Sequence, residues 1–234
     1  MSTALFDLSD QYEQMLQRGI GLSGEDRQFF IEGRINDLKT QLRFSPKRVL
    51  DFGCGTGEAS AYLAKVFPHA DVVGVDTALP ALAFAQRNYG SSRVSFKAVP
   101  DLTGQGEFDL CYVNGVFHHI PPSDRLEAVR YVFRALAPGG HFALFENNPW
   151  NPGTRLVMKR IPFDHDAIVL TAPEVRRLVR QGGFTADSPA RFLFYFPNML
   201  RFLRSAETRL VHLPLGAQYY VLARKDAANP QVSN

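Results

Sequence analysis

Asp51, Gly53, Gly55 and Gly57 stand at alternate positions in the run Val49-Leu50-Asp51-Phe52-Gly53-Cys54-Gly55-Thr56-Gly57-Glu58. Glycines recur where φ is positive or where a ligand lies against bare backbone. A helix that starts behind them turns its unpaired N–H groups and positive dipole end toward that ligand. A dinucleotide fingerprint, G-x-G-x-x-G, needs a third glycine so that helix and strand can pack. Here Glu58 occupies that place. The carboxylate of Asp51 would also repel a pyrophosphate and attract a cationic amine. The turn therefore argues against NAD and for a ligand that carries an ammonium group. A second acid, Asp76, closes the apolar stretch Asp71-Val72-Val73-Gly74-Val75-Asp76, where nucleotide-binding sheets hold ribose hydroxyls. Further on stand three residues able to move a proton: the adjacent His118 and His119, and Glu146.

The elements that must position these groups alternate in type. Strands are expected near Arg48–Phe52, Asp71–Val75, Val94–Ala98, Asp109–Asn114, Gly140–Glu146, Arg191–Phe196 and Gln218–Arg224. Helices are expected near Ser9–Arg18, Glu25–Leu42, Gly57–Phe67, Leu79–Tyr89, Ser123–Leu136 and Ala172–Gln181. Ser123 and Asp124 suit a helix start with Glu127 as capping-box partner, and Pro138-Gly139-Gly140 reads as a stop before the fifth strand. Such alternation implies a Rossmann-like α/β fold, a doubly wound, mostly parallel sheet of seven strands.

Together, the glycine turn flanked by Asp51 and the acid Asp76 resemble the class I S-adenosylmethionine-dependent methyltransferases, closely over residues 48–140 and more loosely beyond. The resemblance implies a sheet whose last strand is antiparallel, with S-adenosylmethionine as cofactor. Asp51 and Gly53 would lie by its methionine part and Asp76 on its ribose. Gly55, Gly57 and Asn114 join the same set, and Asp101, after strand three, would face the adenine. The amino-terminal helices would cover the site, where Tyr12 would touch the cofactor carboxylate or else be a core or surface tyrosine. A sulfonium methyl is already electrophilic, so the protein must align a nucleophile and, for a hydroxyl or ammonium acceptor, remove a proton. His118, His119 and Glu146, at strand ends, are the candidate bases. The alternatives are histidines that line the cofactor site or cap a turn, and an ion pair of Glu146 with an arginine such as Arg155. The expected reaction is methyl transfer to O or N of a small, hydrophobic or lipid-linked metabolite. The competing expectation is a non-catalytic cofactor-binding module with a regulatory or interaction role.

At 234 residues with 45% hydrophobic content, the chain is expected to form one domain. Its parts would be an amino-terminal cap (1–45), a cofactor-binding core (46–146), an acceptor-side half (147–225) and a frayed tail (226–234). A net charge of +3 is too weak for nucleic-acid binding. Asn148-Pro149-Trp150 superficially resembles the signature of nucleic-acid amino-methyltransferases, but that signature follows strand four, where this chain has Asn114-Gly115. No metal is expected, since adjacent residues such as Asp164-His165-Asp166 rarely converge on one ion. No run suits a membrane span, the first residues lack the pattern of a secretory leader, and two core cysteines, Cys54 and Cys111, suit a reducing cytoplasm. Two insertions remain: Asn147–Thr171, expected to wall the acceptor pocket through residues such as Trp150 and Phe163, and Pro197–Gly216. In the second, Leu200, Leu203, Ala206, Leu210 and Leu213 fall at helical spacing. That segment is either a helix packed on the sheet or a contact for a membrane surface, a lipid-like acceptor or a second subunit.

Overall fold

The computed structural model describes residues 21–161 and 166–227. One seven-stranded sheet carries the fold, in the order β3-β2-β1-β4-β5-β7-β6. Its strands are β1 (Arg48–Phe52), β2 (Asp71–Asp76), β3 (Val94–Ala98), β4 (Phe108–Asn114), β5 (Leu136–Asn147), β6 (Arg191–Leu193) and β7 (Gln218–Arg224). Strands β1 to β5 pair in parallel, and β7 runs antiparallel between β5 and β6. The helices are α1 (Arg27–Gln41), α2 (Glu58–Val66), α3 (Leu79–Tyr89), α4 (Arg125–Ala135), α5 (Pro152–Met158), α6 (Ala172–Gln181) and α7 (Glu207–Leu210).

Two cores lie on opposite faces of this sheet because successive strand residues point in opposite directions. Val49, Val72, Leu110 and Tyr112 meet Ile31, Ile35 and Leu38 of α1 and Leu63 of α2. Their neighbours Leu50, Cys111 and Val113 meet Val129 and Val132 of α4 and Val175 and Val179 of α6. Each such aliphatic side chain contributes about 1.5–3 kcal/mol on burial. The strand ends that carry Asp51, Asn114 and Glu146 are thus held rigidly at one edge. Cys54 and Cys111 are both free thiols and buried.

Four local expectations are corrected. Strand β5 starts at Leu136 rather than after Pro138-Gly139-Gly140. Gly139 adopts φ 83° and a register shift between Phe108 and Leu110 absorbs the irregularity. Strand β6 stops at Leu193 because Phe194 takes a left-handed φ of 62°, incompatible with continued pairing. At α4 the capping box is absent: Ser123 Oγ bonds Asp124, and Glu127 pairs with Arg134. A capping box forms instead on α6, between Thr171 and Glu174.

The fourth correction concerns residues 197–216, which do not form an amphipathic helix packed on the sheet. They form a 3-10 stretch, Asn198–Ala206, broken at Leu200, and the single turn α7. Side chains capture the backbone that a longer helix would need. The Tyr195 hydroxyl lies 2.5 Å from Leu210 O and 2.7 Å from Leu213 O, and Glu207 accepts from Phe196 N at 3.0 Å.

Candidate active site

Strand β1 delivers Asp51 to the sheet edge, and the chain then turns sharply. Gly53 N and Cys54 N both donate to Val75 O, which pins the turn to β2. Gly53 has φ 77°, and a Cβ there would meet Val116 Cγ2 at 2.3 Å. At Gly57, φ 89°, a Cβ would strike Ala85 and Phe96 at 2.8 Å. Gly55 is different: a Cβ would meet nothing within 4 Å, so its bare backbone borders open space. Its N–H donates to Asp76 Oδ2 at 2.8 Å, while Asp76 Oδ1 accepts from Thr77 N and Ala78 N.

A cavity of about 570 Å³ opens at this edge. Asp51, Gly53, Gly55, Asn114, His118 and His119 line it. Across from them stand Phe29, Phe30 and Arg34 of α1, Leu156 and Val157 of α5, and Phe194, Tyr195 and Phe196 beyond β6. The lining mixes these aliphatic and aromatic side chains with polar ones, among them Glu25, Arg27, Arg204, Asn147 and Gln218, so it offers an apolar surface with fixed polar contacts.

Asp51 is 2% exposed and accepts a 2.6 Å hydrogen bond from Ser60 Oγ on α2. Burial pushes its carboxyl up to about 7; the Ser60 bond opposes this, the nearby Asp76 adds to it, and Arg34 offsets part. Arg34 is itself buried, with Nε donating to Tyr112 Oη (3.1 Å) and Nη1 to Gln218 Oε1 (2.9 Å). Two further arginines on the wall are also engaged: Arg27 with Glu58 at 2.8 Å, Arg204 with Glu25 at 2.6 Å.

His118 lies in the short helical turn Phe117–His119 after β4. Its Nδ1 is 2.6 Å from Glu146 Oε2, and Glu146 Oε1 accepts from Phe117 N at 2.9 Å. Both side chains are almost fully buried. The outer side of the turn is strapped down as well: Ile168 N donates to His118 O, and Arg125 donates to Ile120 O and Ile168 O. The ring of His119 lies 4.1 Å from that of His118, centroid to centroid.

The other expected site residues that the structure describes stand off the cavity wall. Glu146 is not on the cavity wall; it stands behind His118, and its partner is that histidine rather than Arg155. Gly57 and Asp76 form the shoulder of the turn, outside the wall. Asp101 is exposed in the turn Val99–Asp101 and does not line the cavity. Trp150 is 47% exposed and also lies off the wall. Asn148 bridges backbone carbonyls of Pro214 and Gly216 instead of facing the cavity. Tyr12, Phe163, Asp164 and His165 lie outside the described residues. Among the described residues no cluster suited to a metal ion occurs, and no helix is long and apolar enough to cross a membrane.

Arg34 and Ser60 were missed from sequence. Arg34 carried a usable signal, since it stands with Ile31, Ile35 and Leu38 on the face of α1 that turns inward. A charge there must find buried partners.

Residues 49–140 match the family model of a methyltransferase domain. An uncharacterized methyltransferase of Synechocystis sp. is 37% identical over 118 residues, 49% of this chain and 55% of its own length. A trans-aconitate 2-methyltransferase of Deinococcus radiodurans is 33% identical over 142 residues, 59% of this chain and 48% of its own. The chain thus spans about half the length of these curated relatives. Among solved structures, the Haloferax volcanii complex of the Trm112 methyltransferase activator with a methyltransferase contains a chain that aligns at TM-score 0.66 and 16% identity, covering 95% of this chain and 99% of that one. At that identity the likeness concerns the fold.

Proposed function

We propose that the chain, whose residues 49–140 match a methyltransferase domain, is a class I S-adenosylmethionine-dependent methyltransferase that transfers a methyl group to an oxygen or nitrogen of a small, largely apolar acceptor. When bound, S-adenosylmethionine supplies an electrophilic methyl. The residues present suit it: Gly55 offers bare backbone beside open space, and Asp51 presents a buried carboxylate for an ammonium group. Asp51 and Gly53 would hold the amino-acid end, and Gly55, tied to Asp76, the nucleoside side. His118 would take the proton that the acceptor loses as its new bond forms, and Glu146 would orient the imidazole and stabilise its charge. The phenylalanines and aliphatic residues of the wall would exclude water and bind the acceptor body.

The observation that carries this reading is the buried 2.6 Å contact of His118 with Glu146 at the wall of a cofactor-sized cavity. The apolar character of the acceptor rests on the lining. Arg27 and Arg204 are ion-paired with Glu58 and Glu25, which leaves Arg34, bonded to the neutral Tyr112 and Gln218, to meet any carboxylate of a polyanionic acid such as the one named for the Deinococcus relative. Incubation with labelled cofactor and fractionated cell extracts tests the proposal. Label should enter an organic-soluble fraction, and His118→Ala should abolish this while calorimetry shows unchanged cofactor affinity. Cofactor binding with label in no fraction, or in polyanionic acids alone, would refute it.

A further inference from the structure

Two segments that contribute to the cavity lining also hold large apolar side chains in solvent. Residues 150–161 expose Trp150 (47%) and Leu156 (49%); residues 198–216 expose Met199 (85%), Phe202 (72%), Leu213 (48%) and Leu215 (61%). Hydrogen bonds knit the segments together. Asn151 Nδ2 donates to Leu215 O at 2.6 Å, and Asn148 Nδ2 to Pro214 O and Gly216 O. Both segments reach the cavity, the first through Leu156 and the second through Arg204.

The same two segments carry exposed positive charge. Arg155, Lys159, Arg160, Arg201 and Arg209 are exposed on the same two segments. Their sole acid, Glu207, is half-buried, accepts a bond from Phe196 N, and has its carboxyl pushed up by burial. Exposed apolar clusters of this kind mark interaction sites. Protruding Trp, Phe, Met and Leu mixed with Arg and Lys match a bilayer interface, where apolar side chains enter the acyl boundary and basic ones meet anionic headgroups.

We propose that these two segments form a docking face for an anionic lipid bilayer. The cavity then opens toward the membrane, so an apolar ligand can enter without crossing bulk water. Docking needs no turnover and stands or falls apart from the catalytic reading.

Co-sedimentation of the whole protein with vesicles tests it. Phosphatidylcholine vesicles containing phosphatidylglycerol should carry the protein down, and phosphatidylcholine alone should carry much less. Arg201→Gln with Arg209→Gln should lower partitioning about five-fold for each arginine removed, and added salt should mimic the effect. Met199→Asp with Phe202→Asp should reduce binding to both vesicle types. These side chains are off the cavity wall, so an unchanged melting temperature and cofactor affinity would verify folding. Absence of vesicle binding by the unaltered protein, or binding insensitive to both double variants, overturns the proposal. So does self-association in analytical ultracentrifugation that the variants abolish without any vesicle binding, which would make the face a contact between two copies.

Discussion

His118 and Glu146 form a single buried unit: Nδ1 and Oε2 lie 2.6 Å apart, while the other carboxylate oxygen accepts from the Phe117 backbone. One side chain from β5 thus fixes both the ring and the peptide that carries it. Charge-assisted contacts of this kind gain strength in a low-dielectric interior.

In the proposed reaction Glu146 is a positioning residue and His118 the base. His118→Ala should reduce kcat by about 10²–10⁴-fold, with cofactor Kd unchanged. Glu146→Gln keeps the shape but removes the charge, so kcat should fall by roughly 10²-fold. An unchanged kcat in that variant would mean that Glu146 only supports the turn.

Asp51 links binding to pH. Burial holds its carboxyl near 7, against about 3.9 for an unfolded aspartate. Between those values the folded protein keeps a proton that the unfolded chain has lost. Stability without ligand should therefore fall as pH rises through that window, and Asp51→Asn should flatten the profile. An ammonium-bearing ligand favours the ionised carboxylate, so S-adenosylmethionine binding near pH 6 (within the range about 4–7) should release a proton. Calorimetry in buffers of different ionisation enthalpy measures this directly. A heat independent of buffer would remove the Asp51–ammonium contact.

The glycine turn was legible in the sequence because its constraint is local: the positive φ at Gly53, Gly55 and Gly57 selects glycine whatever packs around it. The seven strands and the helix alternation were legible for a similar reason, since Val49 and Leu50 must face different cores. What escaped depends on contacts distant in the chain. Nothing near Phe194 announces φ 62°. The helical spacing after Pro197 misleads because Tyr195 and Glu207 hold the backbone in another form. Likewise, two strand ends that could each supply a base were visible, but not that Glu146 would stand behind His118.

Gly33 sits within α1, where alanine would normally add about 1 kcal/mol of helical stability. Here a Cβ would lie 2.5 Å from the ring of Phe194. That ring is packed edge-on against Phe30 and tilted against Phe29, on a backbone already in a left-handed conformation. Overpacking costs about 1–3 kcal/mol, so Gly33→Ala should lower the melting temperature despite its propensity. Phe194 lines the cavity, so acceptor KM should rise while cofactor Kd holds. A variant more stable than the parent would show that the ring yields freely.

Asn148 separates a structural from a catalytic reading of Asn148-Pro149-Trp150. Its side chain is fully buried. Nδ2 donates to Pro214 O and Gly216 O, and Oδ1 accepts from Trp150 N at 3.1 Å. The amide therefore welds the end of β5 to the loop entering β7, away from the cavity wall. Asn148→Ala strips partners from three backbone groups, at about 1–3 kcal/mol for each that stays buried. Thermal melts should show a marked loss of stability, with cofactor affinity and per-molecule turnover near normal below the transition. Asn148→Asp should be the worse variant. It preserves the acceptor for Trp150 but turns a carboxylate oxygen toward two carbonyls, burying an uncompensated charge. A catalytic amide predicts the reverse: intact melting temperatures and lost turnover in both variants. Melting curves and single-turnover rates on the same two proteins decide between them.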